Sequence, residues 1–178
     1  IVNAEFLEFD FIPLSNSFSF NFLFASNEYG FYQCEFSDVF AFVLTDLSTG
    51  VSTNLAVIPG TSTPVSVTTI RNSIYNDPSS PNNSCASVNP TFFGTYNVGN
   101  PTSALNMRGQ TLVMNASSAV VPNTPYRIRL VIGDYANTGF DSAVFIAAGS
   151  FTTTLDLGSD QIICSGDEVL LNTNLDNT

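Results

Sequence analysis

Over residues 18–44 the apolar positions keep a period of two. Phe18, Phe20, Phe22 and Phe24 follow one another on alternate positions, and Phe40, Phe42 and Leu44 resume the rhythm after a polar interval. Successive side chains of an extended strand point to opposite faces, so both runs predict core strands. In the first, Ser19, Asn21 and Leu23 make the second face partly solvated. In the second, Val39, Ala41 and Val43 back the Phe face, which predicts a central strand buried on both sides. The interval between them carries Glu28, Tyr29, Cys34, Glu35 and Asp38.

The same pattern extends along the chain. Residues 4–12 alternate with a phase slip at Glu8, so Phe6 and then Phe9 and Phe11 are expected to face inward across a bulge. Residues 46–53 read as a hairpin turn, 54–58 as a short strand stopped by Pro59-Gly60, and 65–70 as another strand. Residues 71–101 are rich in Asn-Pro and Ser-Pro steps and predict a long loop, which a compact domain keeps only if it is tied down or functional. Strands follow at 111–115, at 126–132 with Arg127 and Arg129 facing out, and at 141–151 with two apolar faces. The sum is an all-β chain, a two-sheet antiparallel β-sandwich of jelly-roll type. After residue 153 the texture changes. Residues 154–178 read as strand, Gly-Asp turn and strand, the opening of a second, Ig-like β-domain after a first domain of residues 1–153.

Composition sharpens this picture. Sixteen Phe and no Trp, with hydrophobic residues at 44% and charged ones at only 11%, suit strands and turns. No window holds the 3.6-residue spacing of an amphipathic helix, and no apolar run reaches membrane-spanning length, so direct membrane insertion is not expected. The chain opens at Ile1 without Met or a signal peptide and is expected to be part of a longer protein.

Charge narrows the chemistry. Fifteen acidic residues face four arginines, with no lysine and no histidine, for a net charge of −11. Nucleic acid, which needs cationic neutralisation, is excluded as a partner. Without His or Lys there is no Ser-His-Asp, Cys-His, Schiff-base or P-loop chemistry, and zinc lacks its usual ligands. Carboxylates and bound cations remain. Of the three cysteines, Cys34 and Cys85 are expected to form a disulfide that ties the long loop down and sets the protein outside the cytosol; the alternative is buried free thiols. Cys164 would find its partner beyond residue 178.

The carboxylates offer three readings. Asp38 and Asp141 each precede a strand, and Glu28 and Asp134 lie in the loops leading to them. Converging at one end of a sandwich, the four would suit Ca²⁺, which takes six to eight oxygens. Alternatively Asp38 and Asp141 cap turns, or one of them pairs with Arg127 or Arg129. Glu28 and Asp38 are also the only basis for a glycosidase reading, against which stands the lack of Trp. Tyr29, Phe31, Tyr32, Tyr135 and Phe140 would form a loop-borne surface for a glycan or surface-protein ligand, or close over the end of the core.

Three blocks resemble the choice-of-anchor L domain of bacterial surface and secreted proteins: residues 20–44 (FNFLFASNEYGFYQCEFSDVFAFVL), 55–70 (LAVIPGTSTPVSVTTI) and 126–151 (YRIRLVIGDYANTGFDSAVFIAAGSF). The resemblance implies an extracellular β-sandwich domain carried on long multi-domain proteins with different C-terminal anchoring or sorting signals. The residues themselves favour a non-catalytic, adhesin-type module that binds its ligand through loops. The family's Asp-Gly-x-Thr block is here Arg108-Gly109-Gln110-Thr111, an arginine in place of an anion. The tail is similar to the start of the Ig-like or PKD-like modules of gliding and adhesive proteins in Bacteroidetes-type bacteria, which implies neighbouring Ig-like domains in the same chain. A structural spacer with no ligand of its own is the competing expectation.

Overall fold

The computed structural model describes residues 1, 3–75, 84–135 and 139–151; residues 154–178, the expected second domain, and Cys164 with them, lie outside the described residues. Nine strands run in chain order: β1 (Ala4–Phe11), β2 (Ser17–Ser26), β3 (Val39–Asp46), β4 (Ser52–Asn54), β5 (Phe93–Tyr96), β6 (Gly109–Thr111), β7 (Met114–Ala119), β8 (Tyr126–Gly133) and β9 (Ser142–Ile146). One sheet has the order β1-β8-β3-β4; the other has β5-β6-β2-β7, with β9 also on β2. Every ladder is antiparallel. The two sheets pack face to face, as the alternation predicts, and no α-helix occurs among the described residues.

The core is the Phe alternation made solid. Phe18, Phe20, Phe22 and Phe24 of β2 meet Phe40, Phe42 and Leu44 of β3, all buried. Phe20 and Phe22 lie edge-on to Phe42 at 5.0 and 4.9 Å, and Phe24 stacks on Phe40 at 4.9 Å. Each such ring contributes about 1.5–3 kcal/mol by burial alone.

Four strand expectations are corrected. β1 is one unbroken ladder on β8, from Ala4 opposite Gly133 to Phe11 opposite Tyr126, with no bulge at Glu8. Unbroken alternation puts Leu7, itself 60% exposed, on the face of Phe9 and Phe11, whose rings meet Phe151 and Phe18, and Phe6 lies on the other face with Glu8 and Asp10. There its ring sits 5.2 Å from the Arg129 guanidinium, a cation–π contact that explains an apolar residue on the outer face. Glu8 and Asp10 pair with Arg129 and Arg127 beside it. Second, β3 is central in hydrogen bonding but not buried on both faces, for Val39 is 39% exposed. Third, the expected strands at 54–58 and 65–70 are an irregular buried segment, whose Leu55, Ile58, Val65, Val67 and Ile70 pack into the core. Side chains replace the ladder: Asn54 Oδ1 accepts the N–H groups of Phe42 and Ala56, and Ser37 Oγ accepts that of Val67. Fourth, β9 stops at Ile146. The chain turns through Gly149 at φ 68° and returns Phe151 to stack on Phe20 at 4.7 Å.

The long loop also holds more order than its composition predicts. Short 3₁₀ turns form at Ser73–Tyr75 and Pro90–Phe92, and β5 follows directly. Cys34 and Cys85 are joined, with Cα atoms 5.6 Å apart.

Candidate functional site

Three connections meet at one end of the sandwich. Ser26, the last residue of β2, is opposite Gly109 of β6 on one side and Ser142 of β9 on the other. In the facing sheet Gly133 ends β8 opposite both Ala4 and Val39. The β2–β3, β5–β6 and β8–β9 connections therefore leave together, and Glu28, Asp38, Asp134 and Asp141 all sit within two residues of those strand ends.

Glu28 and Asp38 form the centre. Both are only 1% exposed. Glu28 Oε2 accepts the Asp38 N–H at 2.7 Å, and Asp38 Oδ1 accepts the Tyr135 N–H at 3.2 Å. The Glu28 N–H donates to Ser26 Oγ, and the Asn27 N–H donates to the Asp141 carbonyl, so the β2–β3 loop is bonded to β9 as well. Asp134 lies beside the N-terminus: its N–H donates to the Asn3 carbonyl and its Oδ2 accepts from Asn3 Nδ2. The Asp38 carboxylate does accept a backbone N–H, but from Tyr135 on the β8–β9 connection, 97 positions away, and not from its own turn. Its Oδ2 and the neighbouring Ser142 Oγ are buried with no formed hydrogen bond among the described residues. Among the described residues no three acidic or sulfur side chains lie together in a set able to hold a metal ion.

Burial dominates the titration of this pair. It pushes the Glu28 carboxyl up to about 7; the charges of Asp38 and Asp134 add to the rise, and the Asp38 N–H and Ser26 oppose it. Asp38 is also raised, first by burial and then by the Asp134 and Asp141 charges, against Ser142 and the Tyr135 N–H. Each native carboxyl thus holds its proton more tightly than in the unfolded chain. The stabilisation is fully present below the ordinary Glu value of 4.5 and is lost as pH rises through about 7. In EDTA-containing buffer the unfolding free energy should therefore fall from pH 5 to pH 7.5, by up to about 2 kcal/mol from Glu28. Glu28→Gln should flatten that slope; an unchanged slope in the variant would show that Glu28 does not titrate in this range.

The five predicted aromatics divide. Tyr29 is fully buried, edge-on to Phe93 at 5.0 Å, and belongs to the core. Its ring lies against Gly109, where an added Cβ would come within 2.7 Å of it. Phe31, Tyr32 and Phe140 do come together, with Tyr32 4.5 Å from Phe31 and 4.6 Å from Phe140, and Phe36 joins them at 5.9 Å. Tyr135 is 52% exposed on the same β8–β9 loop. Cys34 lies within this loop end, so the disulfide links it to the long excursion. On that excursion Tyr75 packs against Phe93 at 5.0 Å, and Gly30 fits beneath Tyr96.

The β5–β6 loop was not anticipated. Residues 97–101 and 103–108, with Asn27, line a cavity of about 650 Å³ at the same end, and Asn27 Oδ1 accepts the Arg108 N–H. One signal was present: no Asp or Glu occurs between Asp77 and Asp134, in a chain with 15 of them.

No curated protein and no solved structure matches the chain. The Cys34–Cys85 disulfide suggests a secreted or surface protein. The family model of the choice-of-anchor L domain, a surface-protein module, matches residues 1–152 of the 178, and the chain therefore belongs to that family.

Proposed function

We propose that the domain is a non-catalytic module of an adhesin-type surface or secreted protein and takes a glycan or protein ligand at its loop end. The observation that carries this reading is the aromatic group of Phe31, Tyr32 and Phe140 with exposed Tyr135, held on disulfide-tied loops. Rigid aromatic faces on the loops of a stiff scaffold bind at low entropic cost. A glycosidase role for Glu28 and Asp38 fits poorly with carboxyls that are 1% exposed and bonded to backbone N–H groups. Wild-type protein screened on a glycan array and a panel of surface proteins should bind, and Tyr135→Ala with Phe31→Ala should abolish the signal at unchanged melting temperature. A wild type that binds nothing, or a double variant that binds equally, points to a spacer instead.

Calcium support is a second part of the proposal, favoured by one observation. Asp38 Oδ2 is buried without a hydrogen bond among the described residues, and the charges of Asp134 and Asp141 reach it. A divalent ion that drew those two side chains inward would cancel their repulsion and cross-link the loops. At a hundredfold excess over Kd it would add about 2.7 kcal/mol, or about 5–10 °C in Tm for a chain of this size. An equal Tm in calcium and in EDTA would remove the ion and leave Glu28 and Asp38 as a capping pair.

A further inference from the structure

We propose that the cavity under the β5–β6 loop binds a uronic-acid saccharide, with Arg108 holding the carboxylate and the amides around Asn97 holding hydroxyls. This rests on the ligand-binding reading above and names its ligand class and a second contact region at the same end.

The cavity of about 650 Å³ is joined to another of about 420 Å³, and the two share Asn97 and Asn100. Their walls are amide-rich, with Asn27 in the first and Gln110 in the second, and among the described residues no carboxylate lines either one. In a chain of net charge −11 that is an uncommon surface, and it lies in the long run free of acidic residues.

Arg108 is its cation. The other three arginines are engaged: Arg127 and Arg129 pair with Asp10 and Glu8, and Arg71 donates to the Thr68 and Ala86 carbonyls. The Arg108 side chain makes no hydrogen bond or ion pair among the described residues, and only its backbone N–H is tied, to Asn27. A guanidinium on a cavity wall without an acidic partner is suited to a planar carboxylate, which it can hold through two parallel bonds.

Asn97 supplies the second element. It is 7% exposed, and its Nδ2 donates to the Met107 carbonyl at 3.0 Å and to Gln110 Oε1 at 3.1 Å, which sets the orientation of the amide. The Oδ1 left over is a buried acceptor with no partner among the described residues. Leaving such an atom unpaired is unfavourable, and a sugar hydroxyl is a donor of the right kind. Phe145, 43% exposed, borders the smaller cavity and offers a ring face to the C–H side of a pyranose. A cation, a fixed acceptor and an aromatic platform are together what a charged sugar requires.

The test titrates wild type, Arg108→Gln and Phe145→Ala with oligogalacturonate, oligomannuronate and the neutral methyl ester of the first. At least one acid oligomer should bind wild type about tenfold or more tightly than the ester does, and Arg108→Gln should erase that difference. Phe145→Ala should weaken acid and ester alike. The Arg108 backbone bond to Asn27 survives the substitution, so a melting temperature equal to wild type verifies the fold. Equal affinity for acid and ester, an acid affinity indifferent to Arg108→Gln, or binding of neither acid oligomer overturns the inference. Ligand binding that is lost in Tyr135→Ala with Phe31→Ala but kept in Arg108→Gln would overturn it and leave the ligand-binding module standing.

Discussion

Replacing Phe42 with alanine should lower the stability of the domain by about 3–5 kcal/mol, the usual cost of deleting a buried ring. Phe42 is 2% exposed and meets Phe20, Phe22 and Phe40 at 5.0, 4.9 and 5.4 Å, so it joins the two sheets. Partners on both sheets cannot collapse into the space without shifting the ladders that hold them, so the site belongs at the costly end of that range. At about 2–4 °C per kcal/mol, Tm should fall by about 6–20 °C. Phe6→Ala is the matched control. Phe6 is 65% exposed on the outer face, and its loss should cost less than about 1 kcal/mol, chiefly the contact with Arg129. Equal losses at the two sites would mean that β1 is out of register by one residue, since a single-residue slip exchanges the faces of a strand.

The second large effect concerns the disulfide. Cys34 and Cys85 are 51 residues apart, and closing a loop of that length removes unfolded-state entropy equivalent to about 4 kcal/mol. Cys34→Ser with Cys85→Ser should shift the denaturant midpoint by about 2–4 kcal/mol, the lower figure applying where native contacts hold the loop without the bond. Such contacts exist: Gln33 Nε2 donates to the Asn72 carbonyl, the Arg71 and Val88 backbones exchange two hydrogen bonds, and Tyr75 packs on Phe93 and Tyr96. The double variant should therefore remain folded at 25 °C with its near-ultraviolet aromatic signal retained. Peptide mapping under non-reducing conditions supplies the direct check, and native protein in which both thiols accept an alkylating reagent would contradict the bond.

How far the chain could be read varies with the source of each constraint. The Phe alternation of β2 and β3 was legible because burial on one face of a strand leaves a local, periodic imprint. The register of β1 was not. Phe6 is outside because Arg129 lies beside it, and that neighbour belongs to β8, more than a hundred positions away. The segment at 54–70 showed its burial but not its shape, because Asn54 and Ser37 side chains take the place of ladder partners and such bonds have no period. At the loop end, Glu28 and Asp38 lie side by side because both flank strands whose ends meet, and the bond between them runs from the Asp38 backbone N–H to the Glu28 carboxylate. Tyr29, which the sequence offered either to a ligand surface or to the end of the core, is core, for the space it occupies exists because residue 109 is glycine. The cavity of the β5–β6 loop carried a compositional mark, the absence of acid, but no motif.

The pairing of β1 has a consequence for how the protein is made. Residues 4–11 find their partners only at 126–133, and β2 meets β9 at 142–146. Within this domain the first strand made must wait for almost the last before the β1-β8-β3-β4 sheet can close. Sandwiches governed by such distant pairings fold slowly, because chain-closure entropy is lost before contacts repay it. For a secreted or surface protein, which the disulfide suggests, such a delay would be useful. A nascent chain without its eighth and ninth strands would have no finished sheet to jam a translocation pore. Oxidation of Cys34 and Cys85 would then accompany completion of the fold in an oxidising compartment.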